Sequence, residues 1–162
     1  MVKIDILIRE GKMSRIKELE LDRYLNFFAS SSQDNLEHCK AVLGTFPRWS
    51  IISGYYAMHD ITKLLLAKRF HLKVELEVHA TTIKALKTLI LEKALPAMLE
   101  QGYHEFKYLA NDLAEAKKER VKTQYFTGTA FMKEAYRKRA HAFLAQTVEP
   151  YLRKIRALLE EA

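Results

Sequence analysis

The chain has few of the residues that interrupt or cross-link a fold: five glycines, three prolines and one cysteine in 162 residues. A lone cysteine, Cys39, cannot close an internal disulfide, which excludes a disulfide-stapled secreted scaffold. No Gly-rich phosphate loop is present, which excludes the common nucleoside triphosphatases. No segment reaches the ~18 uncharged apolar residues that a membrane span requires. The longest leucine run is interrupted by Lys63 and Lys68. No two histidines stand four apart, as a helical metal site would place them, so neither a metal nor a cofactor is expected. The opening MVKIDILIRE carries Asp5 inside its apolar run and no small-residue cleavage site, so no secretory leader is expected and a cytoplasmic location is. Internal repeats, low-complexity tracts and linkers of domain-boundary composition are also missing.

What is abundant is apolar and helix-forming. About half the residues are apolar, and Leu, Ala, Lys and Glu dominate, so one helical domain spanning 1–162 is expected, with its core bundle at about 20–160. The fold class this implies is all-α, an antiparallel up-and-down bundle of four to five long helices. Its centre is Ser50 to Arg69, where Ile51, Tyr55, Met58, Leu65 and Leu66 form one apolar row and Ile52, Tyr56 and His59 a second beside it. Two adjacent apolar faces require neighbours on both sides. Pro47 suits the first turn of this helix.

Before it, Leu25, Phe28, Ala29, Leu36, Cys39 and Leu43 keep helical spacing from Asp22 across SSSQD to Gly44, a residue suited to a carboxyl-terminal cap. The opening VKIDILI alternates like a strand, whereas RIKEL after Gly11 and Lys12 reads as a helix start. After Arg69, Val74, Leu76 and Val78 alternate with charged residues, a strand-like piece at 73–78 that could pair with the amino terminus or lie on the bundle as an extended loop. A third helix runs from near His79 through Ile83, Leu86 and Ile90 until Pro96 breaks or restarts it. Leu99, Phe106 and Leu113 fall seven apart on a fourth. A last helix follows the TGT turn at 127–129, with Phe143, Leu144, Val148, Tyr151, Ile155 and Leu158 inward and a kink near Pro150.

Charge is distributed unevenly. Lys117, Lys118, Arg120, Lys122, Lys133, Arg137, Lys138 and Arg139 face only Glu119 and Glu134 between 117 and 139, so most of the net +7 gathers at one helix–turn–helix corner. Such a corner suits phosphates, with Tyr125, Phe126 and Tyr136 as faces on which bases can stack. It equally suits plain solvation of two helix ends, where cations also complement the carboxyl-terminal dipole. Continuing the Leu99–Phe106–Leu113 phase by seven reaches Arg120, a basic residue where the core stripe runs out.

The tandem Tyr55 and Tyr56, the leucine-rich end Leu64 to Lys68, His79 opening the next helix, and the block Arg120 to Tyr125 before a long last helix together resemble the HEPN domain (higher eukaryotes and prokaryotes nucleotide-binding). The resemblance covers roughly residues 20 to 160. It implies a homodimer, RNA or nucleotide as ligand, and a nucleotidyltransferase-type protein as a partner. Catalytic HEPN members share an Arg, four to six residues, then His near the end of the penultimate helix. Here Arg120 matches the arginine, but Tyr125 stands at the nearest histidine position. Arg137 and His141 have only three residues between them and fall on the last helix. Phosphodiester cleavage needs a group that exchanges a proton near neutrality, and a tyrosine with a pKa near ~10 is a poor substitute. The family's other pattern, Arg, three residues, a polar residue and Tyr, fits Arg120, Gln124 and Tyr125, and members of that kind look non-catalytic. The expected binding residues are therefore Lys117, Lys118, Arg120, Lys122, Tyr125, Arg137 and Arg139, with no catalytic residue assigned. The alternative is a ribonuclease toxin of a HEPN and nucleotidyltransferase toxin–antitoxin pair.

The helical reading is checked by circular dichroism, which should give a predominantly helical spectrum with at most a trace of strand. A sheet-dominated spectrum contradicts it.

Overall fold

The computed structural model describes residues 3–122 and 129–162, with side chains described for 3–109 and 133–162. In chain order the elements are α1 (Ile4–Arg9), β1 (Met13–Arg15), α2 (Glu18–Ala41), α3 (Pro47–Phe70), β2 (Leu72–Val74), α4 (Val78–Leu89), α5 (Ala94–Lys122), α6 (Thr129–Phe143), a π-helical turn (Leu144–Val148) and α7 (Glu149–Glu160). The described chain is a helical bundle with one small sheet, in which β1 pairs antiparallel with β2, Ser14 opposite Lys73.

The centre is α3. Fifteen of its 24 residues are buried, so it is covered on several sides, as its two apolar rows require. Ile51, Tyr55, Met58, Leu65 and Leu66 are fully buried; of the second row, His59 is buried and Ile52 and Tyr56 are half-buried. Pro47 starts the helix and His71 ends it in the left-handed region at φ 55°. On one side lies α2, in contact through Ser32 to the Ala57 carbonyl, Ser31 to Asp60, His38 to Ser53 and Ser50 to the Cys39 carbonyl. Residue numbers rise along one helix as they fall along the other, so the two are antiparallel. Ser32, Ser50, Ser53 and Gly54 are small, and the serines spend their hydroxyls across the seam, which is why SSSQD stays helical instead of turning.

The opposite side of α3 receives α5 and the α6–α7 rod. Arg48 meets Tyr136, Gly54 faces Phe143 and Val148, Thr62 meets Tyr151, and Lys68 bonds the Leu159 carbonyl, so α3 and the rod run parallel. Arg139 of the rod pairs with Glu105 of α5 and Lys154 with Glu92 just ahead of α5, so rod and α5 run antiparallel. In the buried Thr62–Tyr151 contact, Thr62 donates to the Met58 carbonyl, so the tyrosine donates to the threonine over 2.6 Å. Pro150 has no N–H to offer the Gln146 carbonyl, and the widened turn stands immediately before α7, next to the position expected for a kink.

The amino terminus differs from its expected form. VKIDILI is helical in α1, because Ile4, Leu7 and Ile8 also fit one helical face; Leu7 is buried beside Met13, Leu66, Leu72 and Ala85, while Ile6 is left out. The strand comes later, at Met13–Arg15, after Gly11 makes its turn at φ 69°. RIKEL is thereby split between β1 and the start of α2. The strand-like piece is shorter than 73–78: β2 stops at Val74, Leu76 is exposed and Val78 opens α4.

Gly54 and Gly102 sit where helices approach most closely. A Cβ on Gly54 would stand 3.0 Å from Val148 Cγ2 and 3.2 Å from Cys39 Sγ; one on Gly102 would meet only the flexible Met58 thioether at 3.1 Å and 3.2 Å and Tyr55 at 3.3 Å. Helix propensity favours alanine by ~1 kcal/mol at both sites, whereas overpacking costs ~1–3 kcal/mol. Gly54→Ala should therefore lower the urea midpoint and Gly102→Ala should lower it less. Equal or inverted effects would show that the Gly54 crossing relaxes freely.

Candidate functional site

Three features could carry function, and two of them meet at one end of the bundle. The first is the basic corner. Helix α5 brings Lys117, Lys118, Arg120 and Lys122 to its carboxyl-terminal end; their side chains, and Tyr125 altogether, lie outside the described residues. The described part is on α6. Arg137 donates to Glu134 over 2.7 Å and to the Gly44 carbonyl over 3.3 Å, which docks α6 on the α2–α3 turn. Arg139 donates to Glu105 over 2.5 Å and lies 3.8 Å above the Tyr108 ring, so it is bound up in the α5–α6 contact. Lys133, Lys138 and His141 are exposed. The structure adds one cation that the corner lacked: exposed Arg48, on the first turn of α3, sits 5.8 Å from the Tyr136 ring. Tyr136 is buried and so is not a free stacking face.

Next to this corner is a groove between α2 and α3. It encloses 520 Å³ and is lined by Asn35, His38, Val42, Phe46, Trp49, Ile52, Ser53 and Tyr56. Phe46 and Trp49 are 57% and 59% exposed, unusual for rings of that size. His38 Nδ1 and Ser53 Oγ, 2.6 Å apart, tie the two helices together in the groove. Asn35 donates its amide to Asp60 Oδ2 over 3.2 Å, and Ser31 donates to the same oxygen over 2.7 Å. A carboxylate only accepts, so the Asn35 nitrogen must face Asp60. Asp60 is buried, and burial raises its pKa against the opposing pull of Ser31, Lys63 and Asn35.

The third feature is a ring cluster on the far side of Tyr56. Tyr55, fully buried, has its hydroxyl 2.6 Å from His79 Nδ1, and His79 stacks on Tyr103 at 4.9 Å with Phe106 alongside. Burial, then neighbouring Tyr103 and Tyr56, raise the Tyr55 pKa, so the phenol stays protonated and donates to Nδ1. The neutral His79 ring therefore carries its proton on Nε2. Burial and then Lys63 lower the His79 pKa. His59, 5.0 Å from His79 and 1% exposed, makes one long hydrogen bond of 3.4 Å to the Val78 carbonyl, and its Nδ1 has no hydrogen-bond partner among the described residues. Burial, followed by Lys63 and His79, pushes His59 down to about 3. These rings brace α3, α4 and α5, and His59 among them stays neutral.

The motif residues Tyr55, Tyr56 and His79 thus converge in one cluster, apart from the basic corner. The groove escaped the sequence reading, although the exposed pair Phe46 and Trp49 flanking Pro47 is its local signal. Among the described residues no group of three or more His, Cys, Asp or Glu could hold a metal ion, and no helix is long and apolar enough to cross a membrane. No family model, curated protein or solved structure matches the chain.

The His59 environment sets a pH dependence. Above the unfolded histidine value of ~6.5 neither state takes up a proton, and His59 leaves stability unchanged. Below it the unfolded chain binds a proton that the folded chain refuses down to about 3, so stability falls as pH drops through that window. His79 acts in the same direction and Asp60 in the opposite one. The His59 contribution should amount to about 2 kcal/mol between pH 7 and 5. Urea unfolding at both pH values should show His59→Phe losing less stability on acidification than the parent. An unchanged pH slope would mean that His59 is not held neutral.

Proposed function

We propose that this chain is a HEPN-like binding module, non-catalytic, that uses the basic corner at 117–139 to hold RNA or a nucleotide. The observation that carries this reading is the meeting of Arg48 with α6 at the α2–α3 turn. Cations from two distant stretches of sequence then share one end of the molecule with an aromatic groove, the combination that single-stranded nucleic acid uses. In this account Lys117, Lys118, Arg120, Lys122 and Arg48 hold phosphates, and Tyr125 stacks or hydrogen-bonds. Arg137 and Arg139, tied to Glu134 and Glu105, position α6 more than they contact ligand. A cytoplasmic homodimer, able to dock a nucleotidyltransferase-type partner, belongs to the same proposal.

The non-catalytic assignment is supported by Tyr125 at the family's histidine position and by buried His59, which is held neutral. A ribonuclease reading has one observation in its favour, exposed His141 one helical turn beyond Arg137. It requires metal-independent RNA cleavage that Arg120→Ala abolishes.

Fluorescence anisotropy of a labelled single-stranded RNA tests the binding reading at low and near-physiological salt. Affinity should fall steeply with salt, and each lost phosphate contact should reduce the slope of log K against log salt by ~0.7. Arg120→Ala, Lys122→Ala and Arg48→Ala should each weaken binding several-fold, while charge reversal at exposed Lys133 leaves the thermal midpoint nearly unchanged. Binding indifferent to all three alanine substitutions would leave the corner a solvated surface and favour the protein-partner role.

A further inference from the structure

The α2–α3 groove differs chemically from the corner beside it. No Lys, Arg, Asp or Glu is among the eight residues that line it. Its two exposed rings, Phe46 and Trp49, stack on no other ring among the described residues, although elsewhere in this chain rings cluster freely, as Tyr55, His79, Tyr103 and Phe106 do. The Asn35 amide nitrogen is engaged by Asp60, while its carbonyl oxygen has no partner among the described residues. The groove therefore offers two unstacked faces, an unused acceptor and 520 Å³ of space. At the turn end stand Arg48 and Arg137; on the outward face of α2 stand exposed Asp34 and Glu37. Anionic chain is thus attracted at one end of the groove and repelled along its α2 edge.

From this we infer that the groove receives one unstacked base of a single-stranded RNA whose phosphates run toward Arg48 and the basic corner. The inference rests on the binding reading above and names the part of the ligand that the corner cannot recognise. A planar base suits the site because its faces meet Trp49 or Phe46, its edge can donate an N–H to the Asn35 carbonyl, and it brings no charge into a lining without Lys, Arg, Asp or Glu. Each base–aromatic contact is sequence-tolerant, so the groove adds affinity for the base without selecting strongly among bases.

Trp49 is the single tryptophan of the chain, and its indole lies in the groove, so its fluorescence reports occupancy directly. Three probes separate the parts of the ligand: an oligoadenylate, an abasic oligonucleotide of equal charge, and uncharged adenosine. Oligoadenylate should quench or shift Trp49 emission saturably, adenosine should do so at much higher concentration, and the abasic oligomer should bind by anisotropy without changing Trp49. Phe46→Ala and Asn35→Ala should each weaken the oligoadenylate response by roughly tenfold. Neither should change abasic binding by a comparable factor. Trp49→Phe, read by anisotropy, should keep most of the affinity because a ring remains, which distinguishes stacking from a loss of fold.

If oligoadenylate and the abasic oligomer bind equally well and Trp49 emission does not respond, the groove inference is overturned while the corner reading stands. If adenosine alters Trp49 emission but neither oligomer binds in a salt-dependent way, the corner reading falls and the groove remains a base site. An absence of any response to all three probes overturns both.

Discussion

Everything in this bundle depends on the enclosure of α3. A helix buried on several faces cannot be amphipathic, so it must be walled by others, and each wall has to come close enough to exclude water. On the α2 side that closeness comes from Ser32, Ser50, Ser53 and Gly54, whose small volumes bring backbones together and whose hydroxyls bond across the seam. On the other side it comes from large rings and aliphatic side chains, Tyr55 and Met58 against α5 and Thr62 against Tyr151. The two sides obey different rules: one is a polar zipper of small groups, the other a conventional apolar core.

That asymmetry explains where the candidate binding features lie. Helix α2 packs on α3 and ends at Ala41, while α3 begins again only at Pro47, so the intervening turn leaves the first face of α3 uncovered. Phe46, Trp49, Ile52 and Tyr56 extend in helical phase from that turn, and the groove is the part of their stripe that Asn35, His38 and Val42 border without filling. The docking of Arg137 on the Gly44 carbonyl then fixes α6 at the same turn. The aromatic groove and the basic helix are neighbours because both are anchored to one five-residue connection.

How much of this the sequence makes legible varies with the physics involved. The helical class and α3 as centre follow from periodicity. The position of β1 does not, because Ile4, Leu7 and Ile8 satisfy a helix and a strand alternation together, and only packing on Leu66 and Leu72 decides between them. Burial of Tyr136, placed in the sequence reading among the free stacking faces, is likewise decided by tertiary contact. Arg48 and Arg120 are more than seventy positions apart, and no local pattern could have joined Arg48 to the corner.

The widened turn at Leu144–Val148 has a further consequence for the rod that contains it. An ordinary helix advances ~100° per residue, so one residue accommodated in a π turn rotates everything before it by about that angle relative to everything after it. Tyr151 and Ile155 beyond the turn, and Tyr136, Ala140 and Phe143 before it, are all buried in the core. The turn therefore acts as a phase adjuster that lets both half-helices face the core while α6 also displays cations. A single-residue deletion there would swing the lysines and arginines of α6 around its axis together with Tyr136, Ala140 and Phe143, so the charged surface and the core are set by the same turn.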